Sequence, residues 1–355
     1  MIFADILKSY VPGFFAPRVP LVRKEQQGTT RIELPAPLSL TDFLALDVPP
    51  RATLLDPILP ERSLSMLYAP RGIGKSWLAL SIGLTVASGG SLLRWRAPKP
   101  RRVLLVDGEM LMTDLQNRLG SIWLGADGEI PPGGFQVLAA DRTEAGINLA
   151  STEGQLALER HLGGIDLLIL DNLSTLLASG SEGASDAWLP MQNWLLRLRR
   201  KGVAVLLIHH AGTNGRQRGT SRREDALDTV IALRRPADYS PEQGARFEVH
   251  VEKARTLAGD GALPFEASIE PFVAVGGLPG IRWMARDLKP PIFQQAAELF
   301  AAGASVREVK QALGISHGEA GRLRLRAAAE GLLEVGREDE AEEAETAADG
   351  AYRLN

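Results

Sequence analysis

The rhythm of apolar and polar positions changes several times along this chain, and the changes divide it. Between residues 51 and 288, short, largely apolar runs, unbroken in 103–106 and 167–170, alternate with stretches of helical spacing. Unbroken runs of strand length suit strands covered on both faces, and strand–helix alternation predicts an α/β domain with a mostly parallel sheet. The runs are 63–69, 102–107, 135–139, 166–171 and 203–208, with helices expected over 77–88, from 113, over 153–162 and over 187–201. Four later runs, 229–233, 246–251, 265–269 and 281–284, leave hardly any room for crossover helices. They read as an antiparallel continuation of the sheet.

The pattern differs at both ends. Residues 1–50 carry several prolines and only brief apolar patches, at 3–7 and 40–46. This predicts an extension with one or two short helices, either a loose arm or a segment that docks on a neighbouring subunit. At the other end, Asp287-Leu-Lys-Pro-Pro291 reads as a linker. Helices are expected over 292–302, over 306–313 between Ser305 and Gly314, and over 317–330 after Ser316. Short strands at 331–335 and 351–354 would flank the acidic run 337–349. Three helices and a terminal hairpin predict a small winged-helix domain over 289–355.

One junction between strand and helix carries chemistry. Ala69-Pro-Arg-Gly-Ile-Gly-Lys-Ser76 has the spacing of a phosphate-binding loop, with Ala69 where the first glycine usually stands, and Trp77 follows it. Gly72 and Gly74 let the backbone curl so that amides converge on a phosphate, and the helix start adds its positive end. Pro70, Arg71 and Ile73 complete the loop. Lys75 can reach the β- and γ-phosphates and the Ser76 hydroxyl can ligate Mg²⁺. The motif implies ATP or GTP. Ligands of open α/β sheets sit beyond the carboxyl ends of the strands. The strands in question end in Asp107-Gly-Glu109, Asp171-Asn172 and His209-His210. Asp171 after four apolar residues fits an Mg²⁺-holding carboxylate. Glu109 is the candidate for polarising an attacking water. His210, in preference to His209, is the candidate for sensing the γ-phosphate.

Composition narrows little else. Of 355 residues, 45% are hydrophobic and 23% charged, an ordinary globular balance, and the net charge of −3 gives no overall attraction to nucleic acid. Cysteine is absent, which excludes disulfides, thiolate metal sites and a cysteine nucleophile. No run approaches a transmembrane length and no basic, apolar leader opens the sequence, so no membrane partner and a cytoplasmic location are expected.

Taken together and in order, these motifs resemble RecA-like P-loop ATPases of the hexameric replicative helicase group, of DnaB and plasmid RepA type. The resemblance covers 54–284 and rests on Ile58-Leu-Pro-Glu-Arg-Ser-Leu-Ser-Met-Leu-Tyr-Ala69 before the loop, Asp107-Gly-Glu109, Leu168-Ile-Leu-Asp171, Ile208-His-His210 and Val251-Glu-Lys-Ala-Arg255. It implies ATP and Mg²⁺ as cofactors, a homo-oligomer such as a hexamer, and DNA as partner. By the family pattern Glu109 is the catalytic base and His210 the γ-phosphate sensor, while Lys253 and Arg255 act in the neighbouring subunit's site. Loops after the sensor strand touch single-stranded DNA in that family, which maps onto the segment holding Arg216, Arg218, Arg222 and Arg223. Without an aromatic residue that segment suits sequence-neutral contact with phosphates, or it is a plain surface loop.

The resemblance lacks counterparts at both ends: no DnaB-like helical domain precedes the core, and plasmid RepA-type helicases carry no winged helix. In the expected third helix of the small domain, Arg322 and Arg326 share a face at i, i+4 spacing and could meet duplex phosphates. Leu323, Leu325 and residues 327–329 are expected to pack inward or alongside. Protein docking is the alternative for that domain. Two functions follow as expectations: an oligomeric DNA helicase or translocase in plasmid or mobile-element replication, or an ATP-switched DNA-docking protein.

Overall fold

The computed structural model describes residues 35–177, 188–211, 226–255, 259–288 and 292–333. The chain divides into two compact units between Arg286 and Asp287.

The larger unit is built on one nine-stranded sheet. Its strands are β1 (Leu64–Ala69), β2 (Val103–Asp107), β3 (Phe135–Ala139), β4 (Leu167–Asp171), β5 (Ala204–His210), β6 (Thr229–Arg234), β7 (Arg246–Ala254), β8 (Phe265–Val273) and β9 (Pro279–Asp287). They lie in the order β9-β8-β7-β6-β1-β5-β4-β2-β3. From β6 to β3 every pairing is parallel. The helices are α1 (Leu40–Leu44), α2 (Lys75–Ser88), α3 (Met112–Leu124), α4 (Thr152–Glu159), α5 (Leu173–Leu176) and α6 (Trp188–Arg200).

Alternation of side chains along each strand feeds two separate cores. Leu67, Leu105, Ile169 and Leu206 face α2 and α3, together with Leu78, Ile82, Leu115 and Ile122. Met66, Leu104, Leu168 and Leu207 face the other way, toward Leu158 of α4, Leu173 of α5 and Trp194 of α6. Covering on both faces is why β1, β2 and β4 are largely apolar, β2 and β4 without a break until their terminal aspartates, and buried throughout. Helix α2 is nearly all buried, which explains its lack of a polar stripe.

One strand departs from the sequence reading. β6 was expected to continue the sheet antiparallel, yet it runs parallel to β1 and only β7, on its far side, is antiparallel to it. The chain between His210 and Thr229 is long enough to return to the end of the sheet at which β1 starts. Beyond it, β7 and β8 pair antiparallel as expected. The expected segment 40–46 forms the short α1, capped by Ser39, and its large apolar side chains Leu40, Phe43 and Leu44 are exposed. The patch at 3–7 lies outside the described residues.

In the smaller unit, α7 (Ile292–Ala301), α8 (Val306–Leu313) and α9 (His317–Ala329) enclose Ala296, Phe300, Val306, Val309 and Ala320. Ser305 and Glu308 form a capping box at the start of α8, and Ser316 caps α9 by accepting from the Glu319 amide. Leu323 packs on this core, but Leu325, expected to pack with it, is 58% exposed because it falls on the opposite side of α9. Residues 331–333 form no strand, and the rest of the expected hairpin lies outside the described residues.

Candidate functional site

Strand register brings the site together. In the parallel sheet Ala69 stands beside His210 and Asp107 beside Asp171. All four are carboxyl-terminal ends of strands, so whatever follows them projects over one end of the sheet. A cleft of about 620 Å³ opens there, bordered by Gly72, Lys75, Glu109, Asp171, Asn172 and His210, with Tyr239 toward one side.

The phosphate loop has the backbone its glycines permit. Gly72 and Gly74 both have positive φ, 72° and 117°, and Gly74 caps α2. A Cβ on Gly74 would lie 2.9 Å from the Phe247 ring of β7, so a strand late in the sequence supports the loop from beneath. Lys75 Nζ donates to the carbonyl of Pro70 at 2.8 Å. Burial lowers its pKa to about 8, while Asp171 and Glu109 pull it upward and Arg71 lowers it further. The ammonium is therefore held at the cleft among opposing carboxylates.

Asp171 is 4% exposed, and burial raises its carboxyl to about 7 against a hydrogen bond from Ser76. Its Oδ2 is buried with no hydrogen-bond partner among the described residues. A buried carboxylate oxygen left unpaired, next to the hydroxyl of the phosphate-loop serine, fits a divalent cation. Among the described residues no cluster of His, Asp or Glu could hold a metal by itself. Mg²⁺ at Ser76 and Asp171 would thus complete its shell with water and phosphate oxygens, as that ion does at nucleotide sites.

Glu109 stands over the end of β2. Asp107 Oδ1 accepts from the Glu109 amide at 3.1 Å and from the Met110 amide at 2.7 Å, which folds the turn carrying it. Burial pushes the Asp107 carboxyl above its ordinary value, against the effect of those two amides. Asn172 Nδ2 donates to Glu109 Oε2, and His210 Nε2 lies 3.8 Å from the same oxygen. His210 lines the cleft, whereas its neighbour His209 is buried within the sheet.

Other predicted residues lie elsewhere. Lys253 and Arg255 are at the far end of β7, where Ala254 pairs with Thr229 at the beginning of β6 and the Arg255 amide donates to Asp228. That is the end of the sheet opposite the phosphate loop of the same chain. Arg216, Arg218, Arg222 and Arg223 fall outside the described residues. In α9, Arg322 and Arg326 are both exposed. Arg326 bonds Glu330 at 2.8 Å and lies 3.9 Å over the Phe293 ring, so its charge is already partly engaged.

Three residues at the cleft escaped the sequence reading. Arg235 donates to the carbonyl of Gly72 at 2.8 Å while stacking 3.6 Å over Tyr239. Tyr239 in turn donates to the carbonyl of Gly244 at 3.0 Å. The third is Asn172, which the sequence reading noted only as part of a strand end; it caps α5 and reaches Glu109.

Solved structures of similar shape include the KaiC-like protein PH0186 from Pyrococcus horikoshii OT3, at 14% identity over 65% of this chain and 98% of that one, with a TM-score of 0.45. The flagellar accessory protein FlaH from Methanocaldococcus jannaschii shares 12% identity over 64% and 91% of the two chains, at 0.42. The RadB recombinase shares 14% over 64% and 92%, at 0.40. Comparison with curated proteins found no match. Residues 29–216, just over half of the chain and including the phosphate loop, Glu109, Asp171 and His210, match the AAA domain family AAA_25. On that match, the chain belongs to the AAA domain family of P-loop ATPases.

Proposed function

We propose that this protein binds and hydrolyses ATP with Mg²⁺ and works as a homo-oligomer on DNA. The observation that carries the reading is the convergence of Lys75, Ser76, Asp171, Glu109 and His210 on one cleft at the carboxyl end of the sheet. A phosphate loop alone binds nucleotide, but a carboxylate set over the γ-phosphate position adds hydrolysis. Water attacks the γ-phosphorus, the bond to the β-phosphate oxygen breaks, and the water's proton passes to Glu109. Lys75 and the loop amides offset negative charge on the phosphates, and Mg²⁺ between Ser76 and Asp171 would add charge neutralisation. His210, beside Glu109, is suited to register whether the γ-phosphate is present.

Support for DNA is the segment that begins one residue after His210 and contains Arg216, Arg218, Arg222 and Arg223. A γ-phosphate contact at the strand end adjoins a basic segment, which suits nucleotide-dependent grip on a phosphate backbone. Support for assembly is the position of Lys253 and Arg255, at the end of the sheet opposite their own phosphate loop. By family resemblance the assembly is a hexamer that translocates along or unwinds DNA.

The test is ATP turnover of the full chain, alone and with single-stranded or duplex DNA, together with native mass. Lys75→Ala should abolish turnover while the circular dichroism spectrum stays unchanged. Normal turnover in that variant would sink the nucleotide assignment, and turnover indifferent to DNA at low salt would remove DNA from the reading.

A further inference from the structure

Glu109 is not held by its own strand alone. The tip of the turn carrying it packs directly against the end of β4: the Gly108 amide donates to the Asp171 carbonyl at 2.7 Å. A Cβ on Gly108 would lie 2.6 Å from Thr175 Oγ1 and 2.8 Å from Leu176 Cδ2, so no side chain fits between the two elements. Across this contact reaches Asn172, 1% exposed, with both ends of its amide employed. Its Nδ2 donates to Glu109 Oε2, and its Oδ1 accepts from the Thr175 amide at 3.1 Å. The Thr175 hydroxyl closes the arrangement by donating to the Asn172 carbonyl at 3.0 Å.

We propose that Asn172 is the positioning residue for Glu109, fixing one carboxylate oxygen so that the other is presented to the water at the γ-phosphate. This rests on the reading of Glu109 as the group that takes the water's proton. The chemistry favours an amide at this place. A carboxylate on a short turn rotates freely unless one oxygen is tethered, and proton transfer needs a defined distance and direction. Asp107, Asp171 and Glu109 crowd the same strand ends, so a fourth carboxylate, or a neutral acceptor, here would turn Glu109 away. A lysine would compete with Lys75 for it. Asparagine donates without adding charge, and its cap on α5 prevents its own amide from swinging with the carboxylate. Asn172 touches no reacting atom and acts through Glu109.

Asn172→Ser separates the two duties of the side chain. Serine still caps α5 but is too short to reach Glu109. The expected result is a kcat lowered roughly 10- to 100-fold, as for a modest misplacement of a catalytic group. The KM and Kd for ATP should stay within about two-fold of the parent. Asn172→Asp, equal in size and also able to cap, provides a second variant without the donor and should lose kcat likewise at saturating Mg²⁺. In single turnover, adding Asn172→Ser to Glu109→Gln should cause no further loss, because the residue it acts through is already gone. Unchanged kcat in both Asn172 variants, or losses that multiply in the double variant, would overturn the positioning role alone. If Glu109→Gln itself hydrolyses ATP normally, the reading beneath it fails as well.

Discussion

At the scale of single residues, burial of opposite charges at one strand end makes the protein's stability depend on pH in a recognisable way. Burial raises Asp171 to about 7 from an ordinary 3.8, so the folded chain keeps a proton there that the unfolded chain has released. Stability from the protonated carboxyl is present below that ordinary value and is lost as pH rises through about 7. Lys75 runs the other way, lowered to about 8 from 10.5. Below pH 8 the fold must hold a buried ammonium, and that cost is relieved as pH rises toward 10.5. Without nucleotide, the melting temperature should therefore decline between roughly pH 4 and 7, and recover above roughly pH 8. Melting curves across that range check it. Asp171→Asn should flatten the acid-side decline, and an unaltered decline would place its origin elsewhere. The residues behind this effect were legible in the sequence because Asp171 sits at the end of an apolar run and Lys75 in the phosphate-loop motif. Arg235 was not, since its contact with Gly72 spans 163 positions of chain and nothing local to it announces a phosphate loop.

At the scale of elements, what could be read depended on how local the cause was. The strands buried on both faces and the serine caps of α8 and α9 are local, and they lie where pattern and capping chemistry predict them. The direction of β6 depends on which neighbour it pairs with, and its side chains look the same in either orientation. Asn172 combines the two cases, because its cap on α5 is local and its bond to Glu109 is not. The division between Arg286 and Asp287 gives an element-level prediction. Each unit has apolar cores of its own, one on either face of the sheet in the larger and one around Phe300 and Val309 in the smaller. Removing all residues after Pro291 should leave basal ATP turnover within about two-fold of the parent, because no residue of the cleft is lost. Duplex DNA binding should weaken only if Arg322 carries it, as Arg326 is engaged with Glu330 and Phe293. Equal duplex affinity with and without the small unit, at matched salt, would turn its role toward protein docking.

At the scale of the whole molecule, the sheet has two ends with different equipment. One carries the phosphate loop, Glu109 and Asp171, and the other carries Lys253 and Arg255. The antiparallel turn from β6 to β7 is what sends this pair away from the cleft, since β7 runs back toward the beginning of β6. A cation there cannot serve its own nucleotide without refolding β7, but it can serve one bound by an adjacent copy. An arginine supplied across an interface contributes on the order of 10³–10⁵ in rate to some phosphoryl transfers. Arg255→Ala should bind ATP almost as the parent does and hydrolyse it poorly. Lys75→Ala should be inactive for a different reason, its own loop being crippled while its Arg255 is intact. Mixed and allowed to co-assemble, the two variants should recover part of the activity. At some interfaces an intact loop from the Arg255→Ala chain then meets an intact arginine from the Lys75→Ala chain. Turnover across mixing ratios measures this, with maximum recovery at intermediate ratios. Co-assembly shown by native mass with no recovery at any ratio would mean that Arg255 does not act between subunits.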